Sequence, residues 1–222
     1  MNSTAPIITQ EISRSLVYRR LADAFRPPEP GLPGNLAELR DHLDLLESEG
    51  FGPVDAMCAA LNRPSDFPAL ELDFAALFVG PFLVPAPPYG SVYLEGVRRL
   101  MGDSTMDARA HYRAVGLDTA DHFKEPPDHI AAELEFMHVL VCQGIEAIRK
   151  NNREALLDGL KRQQTFLLKH LGAWVPDFTE KVAEYAGTGF YRHLADATRR
   201  FIGEEIEAFG KLSLPKLADI VV

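Results

Sequence analysis

Apolar side chains recur at three- and four-residue intervals along most of the chain: Ile12, Leu16, Leu21 and Phe25; Leu36, Leu39, Leu43 and Leu46; Leu156, Leu160, Leu167 and Leu171. A helix turns about 100° per residue, so this spacing gathers them on one side. The alternation of a half-buried strand is nearly absent, and the pattern predicts an all-α protein of roughly nine or ten helices. RPPEPGLPGN (26–35) separates the first helix from the second, with Asn35 placed to cap the second. Gly50 and Gly52 close that second helix.

Two stretches depart from simple helix. GPFLVPAPPYGSVYLEG (80–96) is rich in proline and aromatic residues, and its prolines hold it and the residues before them in extended conformations. GLDTADHFKEPPD (116–128) is polar and ends in Pro-Pro, so it reads as a connector. The expected organisation is a two-lobed helical bundle. Residues 1–115 form the N-terminal lobe and carry the 80–96 segment, 116–127 form a hinge, and 128–222 form the C-terminal lobe.

Composition narrows the function classes. Among 222 residues, 46% are hydrophobic and 25% charged, ordinary values for a folded chain. The formal charge of −9 argues against a surface that tracks phosphates, so nucleic acid is an unexpected partner and a cationic one is favoured. Cys58 and Cys142 belong to no CxxC pair and read as core thiols of a reducing compartment. The N-terminus shows no basic segment followed by an apolar run, and the longest uncharged stretch is broken by Pro81, Pro85, Pro87 and Pro88. Arg19-Arg20 is followed by charged positions where an export signal is apolar, so the pair is read as helix. The expectation is a cytoplasmic protein that does not enter a membrane.

The densest chemistry lies in KEPPDHIAAELEFMHVL (124–140). On a helix, Ile130, Leu134, Met137, Val141, Ile145 and Ile148 form a core stripe. His129, Glu133, Phe136 and Leu140 lie on a strip beside it, whereas Asp128, Glu135 and Val139 face away. Asp128 falls in the first turn or at the N-cap, where a carboxylate accepts from free backbone N–H groups. His129 and Glu133, at i and i+4, are neighbours at the margin of the core. They either satisfy each other at the lobe interface or face a ligand.

Glu135-Phe136-Met137-His138 is an ExxH, the spacing that puts a carboxylate and an imidazole on one face in di-iron bundles, but no second copy exists to complete such a site. HExxH, GxSxG, GxxxxGK[ST] and GxGxxG are also missing, which argues against zincin, hydrolase and nucleotide-binding chemistry. No catalytic residue, metal or cofactor is assigned.

EPPDHIAAELEFM strongly resembles the signature of the TorD/DmsD/NarJ family of chaperones, an E-x-P-D-H segment followed by an E-L-x-x-M-like helix. APPYGSVYLEG (86–96) looks like the family's P-P-[WY]-x-S-V-Y segment. HLGAWVPDFTEKVAEYAGTGFYRHLADATRRFI (170–202) is similar to its C-terminal aromatic pattern. The resemblance implies a two-lobed all-α fold and a non-catalytic job, in which the twin-arginine signal peptide and apo form of a molybdopterin-containing oxidoreductase are held until cofactor insertion and export. It also implies that Pro87, Pro88, Tyr89, Ser91 and Tyr93, together with Asp128, His129 and Glu133, line the peptide-binding region. Tyr89 stands where several members of the family carry Trp.

The residues themselves agree with such a job. A twin-arginine signal needs carboxylates beside a hydrophobic groove. Asp128 and Glu133 offer charge, and Phe78, Phe82, Leu83, Val84 and Tyr89 offer apolar surface if they do not pack inward. Trp174, Phe190 and Tyr191 are read as C-terminal core, and Arg192, Arg199 and Arg200 as a solvated face near Glu204, Glu205 and Glu207. A helical hinge also gives two copies a route to a homodimer by exchanging lobes. The rival readings are a general helical adaptor and a helical metalloenzyme using Glu135 and His138.

Overall fold

The computed structural model describes residues 5–61, 66–80, 84–96, 101–118 and 125–211. Among them the chain forms α1 (Ala5–Ala24), α2 (Leu32–Leu45), α3 (Phe51–Ala60), α4 (Phe67–Phe74), a π-helical turn (Ala75–Val79), α5 (Gly90–Leu94), α6 (Asp103–Arg113), α7 (Ile130–Arg149), α8 (Arg153–Lys169), α9 (Leu171–Tyr185) and α10 (Gly189–Lys211). The all-α expectation holds. Helix α2 starts earlier than the Asn35 cap implied, with Gly31 at its N-cap and proline in its first turn. Proline suits that place because the first-turn N–H groups lack intrahelical partners. Gly50 is the N-cap of α3 and not an end of α2.

Helix α7 is the centre of the molecule. Its expected stripe is buried throughout, and Phe136, Leu140 and Glu133 beside the stripe are buried too, because α1 packs on one side and α8 on another. Helices α9 and α10 pair, and α10 packs against α3. Buried residues from before and after 116–127 belong to one hydrophobic cluster.

Helix α1 turns a different face inward than its apolar spacing suggested. Ser13, Arg14, Val17, Tyr18, Leu21 and Ala22 are buried, while Ile12 and Leu16 are only partly covered. Arg14 is tolerated inside because its Nε donates to Glu205 Oε2 on α10 at 2.6 Å, and the Tyr18 hydroxyl donates to the same oxygen at 2.9 Å. A buried charge needs such a partner. This cluster ties the first helix to the last. Glu205 therefore leaves the solvated face assigned to it, and Arg199 and Arg200 pair with Asp196 instead.

Two connections shape the side of the molecule between α4 and the start of α7. Gly90 N–H donates to Asp128 C=O and Ile130 N–H to Pro88 C=O, both at 2.9 Å, so Tyr89 and His129 form an isolated antiparallel bridge. The proline-rich segment is thereby pinned to the start of α7. A Cβ at Gly90 would stand 3.0 Å from the Trp174 indole nitrogen, so the close seat of this segment on α9 favours glycine there. At the other end, Asp73 accepts from Gly187 N–H, Thr188 N–H and the Thr188 hydroxyl, capping the approach to α10 and holding α4 against it.

Candidate peptide-binding cleft

A cleft of about 720 Å³ opens between the end of α1, the α4–π turn, the Pro88–Tyr89 segment and the first turns of α7. Its floor is aromatic. Phe25, Phe74, Phe78, Tyr112 and Phe136 line it with the edges of rings that are otherwise buried. Phe74 and Phe78 meet edge-on at 5.3 Å, and Tyr112 and Phe136 lie 4.6 Å apart. Such packing fixes the shape of the floor, since aromatic pairs add about 0.5–1.5 kcal/mol beyond area burial.

One wall is the Tyr89–His129 bridge, whose rings meet edge-on at 5.4 Å. The Tyr89 hydroxyl donates to Glu125 Oε2 at 2.6 Å. Burial first, then the hydrogen bond to Glu125, push the Tyr89 phenol far above its ordinary range, so it remains a neutral donor. His129 is the N-cap of α7, its Nδ1 accepting from Ala131 N–H at 3.1 Å. That role needs the neutral ring. Burial, with Arg26 second, lowers its pKa to about 4 and supplies it.

The charged lining is mixed. Glu135 is gripped by Arg19 Nη1 on one oxygen and Arg26 Nη2 on the other, each at 2.6 Å. Asp118 accepts from Arg109 and Arg113. Glu125 is exposed and held by Tyr89, and among the described residues no arginine engages it.

The structure thus gathers Pro88, Tyr89 and His129 in one depression and leaves the other expected residues out of its lining. Pro87 is half-buried beside it. Ser91 is buried, and its N–H donates to Asp128 Oδ2 at 2.8 Å. Asp128, expected to face away and cap α7, is 1% exposed and caps α5 instead. Its carboxylate turns inward because the bridge places the free N–H groups of α5 beneath it. Tyr93 stacks on Trp174 with ring centres 5.6 Å apart.

Glu133 is 0% exposed and accepts from Trp174 Nε1 at 2.9 Å, with His170 Nδ1 at 3.5 Å from its other oxygen. Burial raises its pKa against the pull of His170 and Trp174. His170 goes the same way: burial opposes its charge, but Glu133 and Asp107 outweigh it. The expectation that Asp128 and Glu133 present carboxylates to a peptide is therefore corrected. Both carboxylates serve buried N–H donors, and neither reaches the cleft.

The ExxH reading is corrected as well. Glu135 is occupied by two arginines, and His138 Nδ1 faces Ser15 C=O at 2.9 Å with Cys142 Sγ 3.9 Å away. Cys58 and Cys142 are half-buried and free, not fully in the core. Phe82, Leu83 and hinge residues 119–124 lie outside the described residues. Val84 is half-buried and does not line the cleft, whereas Phe78 does. Trp174, Phe190 and Tyr191 are core, as expected. The sequence pattern missed Phe25, Arg26, Tyr112 and Glu125. For Glu125 a signal existed: an acid directly before Pro-Pro, whose fixed backbone limits where it can point.

Known proteins resemble this chain in both sequence and fold. The family model for the nitrate reductase delta subunit matches residues 30–180. The chaperone protein TorD of Vibrio parahaemolyticus is 32% identical over 71% of this chain and 75% of its own. The Tat proofreading chaperone DmsD of Salmonella typhi is 32% identical over 69% of this chain and 67% of its own. In fold, a crystal structure described as a candidate redox enzyme maturation protein from Archaeoglobus fulgidus superimposes with a TM-score of 0.53 at 23% identity, covering 86% of this chain and 93% of that one. No helix among the described residues is long and apolar enough to cross a membrane. By the family model and by these relatives, the chain belongs to the nitrate reductase delta subunit family, a family of chaperones.

Proposed function

We propose that this chain is a cytoplasmic maturation chaperone that holds the twin-arginine leader of an apo molybdopterin-containing oxidoreductase in the cleft, keeping the client back until its cofactor is in place. The observation that carries the reading is the pairing of an aromatic floor with an exposed carboxylate at its edge. Phe78 and its neighbours offer the apolar middle of a leader a dry surface of fixed shape. Glu125 offers a guanidinium an acceptor that no arginine among the described residues engages. The formal charge of −9 draws a cationic leader over long range. A relative whose name includes Tat proofreading points the same way.

Capture by this cleft requires no parting of two lobes. The core runs continuously through the molecule, and the Arg14–Glu205 pair clasps α1 to α10.

The test is titration of the purified chain with a synthetic leader of its client, read by calorimetry. Binding is expected to fall when the two arginines become lysines, since lysine cannot make the paired hydrogen bonds. It is expected to fall further when Phe78 becomes serine. Equal affinity for both leaders and for the Phe78→Ser chain would remove the cleft from the proposal. A client that binds equally well without its leader would favour a general adaptor.

A further inference from the structure

We propose that Asp107, His111 and His170 form a binding site for one first-row divalent cation, zinc foremost, on the face of the molecule formed by α6 and the α8–α9 junction. The site is separate from the cleft. Among the described residues, these three are the one group of His, Cys, Asp and Glu side chains close enough to share an ion, with one ligand atom from each lying within 4.8 Å of the others.

The geometry fits the ion. Zinc bonds of about 2.0–2.2 Å in a tetrahedron place neighbouring ligand atoms roughly 3.3–3.5 Å apart. Here His170 Nε2 lies 3.0 Å from Asp107 Oδ2, and His111 Nε2 lies 3.8 Å from the same oxygen. Side-chain shifts of under about 1 Å bring three donors to equal range of a common centre. Asp107 and His111 are four apart on α6, so one helical face presents both. His170 comes from the bend where α8 ends and α9 begins.

The surroundings are those of a supported ligand set. Metal-bound histidine is usually oriented by a carboxylate on its second ring nitrogen. A carboxylate stands next to that nitrogen of His170, close but not yet hydrogen-bonded to it: Glu133 Oε1 is 3.5 Å from Nδ1, and Glu133 is itself fixed by Trp174. His170 is 2% exposed and lies stacked on Phe166 at 4.5 Å, while His111 meets Phe166 edge-on. The rings therefore cannot swing freely. Two imidazoles supply nitrogen donors, and the carboxylates of Asp107 and Glu133 balance a charge of two. The Asp107 side chain is 54% exposed, which leaves an entry path and a place for water as fourth ligand. Mixed nitrogen and oxygen donors in this number suit zinc, cobalt and their neighbours rather than calcium or magnesium.

The chain has a built-in reporter. Trp174 is its single tryptophan, and it donates to the carboxylate that faces His170. Tag-free full chain, stripped with chelator, is titrated with Zn²⁺ in equilibrium dialysis and with Co²⁺ while absorbance and Trp174 fluorescence are followed. The expected result is one equivalent of zinc bound at micromolar concentration or tighter. Co²⁺ is expected to give visible absorption of a four- or five-coordinate site and to quench Trp174. Asp107→Asn, on the exposed side, and His111→Ala, at the partly covered margin beside Phe166, are expected to lower affinity at least tenfold, whereas His193→Ala leaves it unchanged. The proposal is overturned if the chain takes up no stoichiometric zinc, if both variants bind as the parent does, or if bound Co²⁺ leaves Trp174 unaffected. Any of these makes the cluster a plain His170–Asp107 ion pair.

Discussion

Replacing Glu133 with alanine separates a ligand-binding carboxylate from a structural one. Its side chain has no solvent exposure, so the change cannot be absorbed by water. Trp174 Nε1, now 2.9 Å from Glu133 Oε2, is left as a buried donor without an acceptor, at a cost of about 1–3 kcal/mol. Loss of the carboxyl and a methylene leaves a small void worth about 1 kcal/mol more. Part of this is returned, because burial already strains the carboxyl and raises its pKa. A net loss of about 1–3 kcal/mol corresponds to a fall in unfolding midpoint of roughly 2–12 °C for a chain of this size. Thermal and urea unfolding followed by far-UV circular dichroism and by Trp174 fluorescence measure it. Glu133→Gln, which keeps an oxygen for Trp174, is expected to lose less than about 1 kcal/mol. The structural role is refuted if Glu133→Ala unfolds like the parent while its affinity for the leader peptide drops tenfold. That pair of results would put the carboxylate on the ligand.

Glu125→Gln is expected to weaken leader binding about three- to tenfold at low salt, and less at high salt, because the contact is exposed; it should also abolish the preference for arginine over lysine in the leader, which calorimetry on the four combinations measures. His129 has a folded pKa of about 4 against roughly 6.5 unfolded, so as pH falls the unfolded chain takes up the proton first. Its contribution is complete above about pH 6.5 and is lost between there and pH 4, by up to about 3 kcal/mol. His129→Asn, which caps a helix without titrating, should flatten the urea midpoint over that window, and an unchanged slope would reject the assignment. Arg14→Met strands Glu205 in the core and is expected to cost about 3–5 kcal/mol, with Glu205→Gln added to it restoring part of the loss in the same unfolding assay.

What could be read from the sequence divides along a physical line. Helix α7 was legible because its stripe is apolar at every turn and packing on both sides only deepens that pattern. The inward face of α1 was not, because Arg14 is made tolerable by a glutamate 191 residues away, and no local spacing records that partner. The cleft shows the same limit. Tyr89 and His129 meet in it, but the floor also draws on Phe25, Phe74 and Tyr112 from three distant parts of the chain. Asp128 and Glu133 were legible as chemistry and not as direction. Their side is decided by the bridge between Pro88–Gly90 and Asp128–Ile130, which turns one carboxylate under α5 while the packing of α9 brings Trp174 to the other. Asp128 therefore acts on the cleft at one remove. Asp128 holds the first turn of α5, and Tyr89 is the N-cap of that turn. Loosening Asp128 moves the ring that presents its hydroxyl to Glu125, so a binding defect in Asp128→Asn would report the position of Tyr89 rather than a lost contact with the leader. Glu125→Gln, which leaves the bridge intact, is the substitution that touches the contact itself.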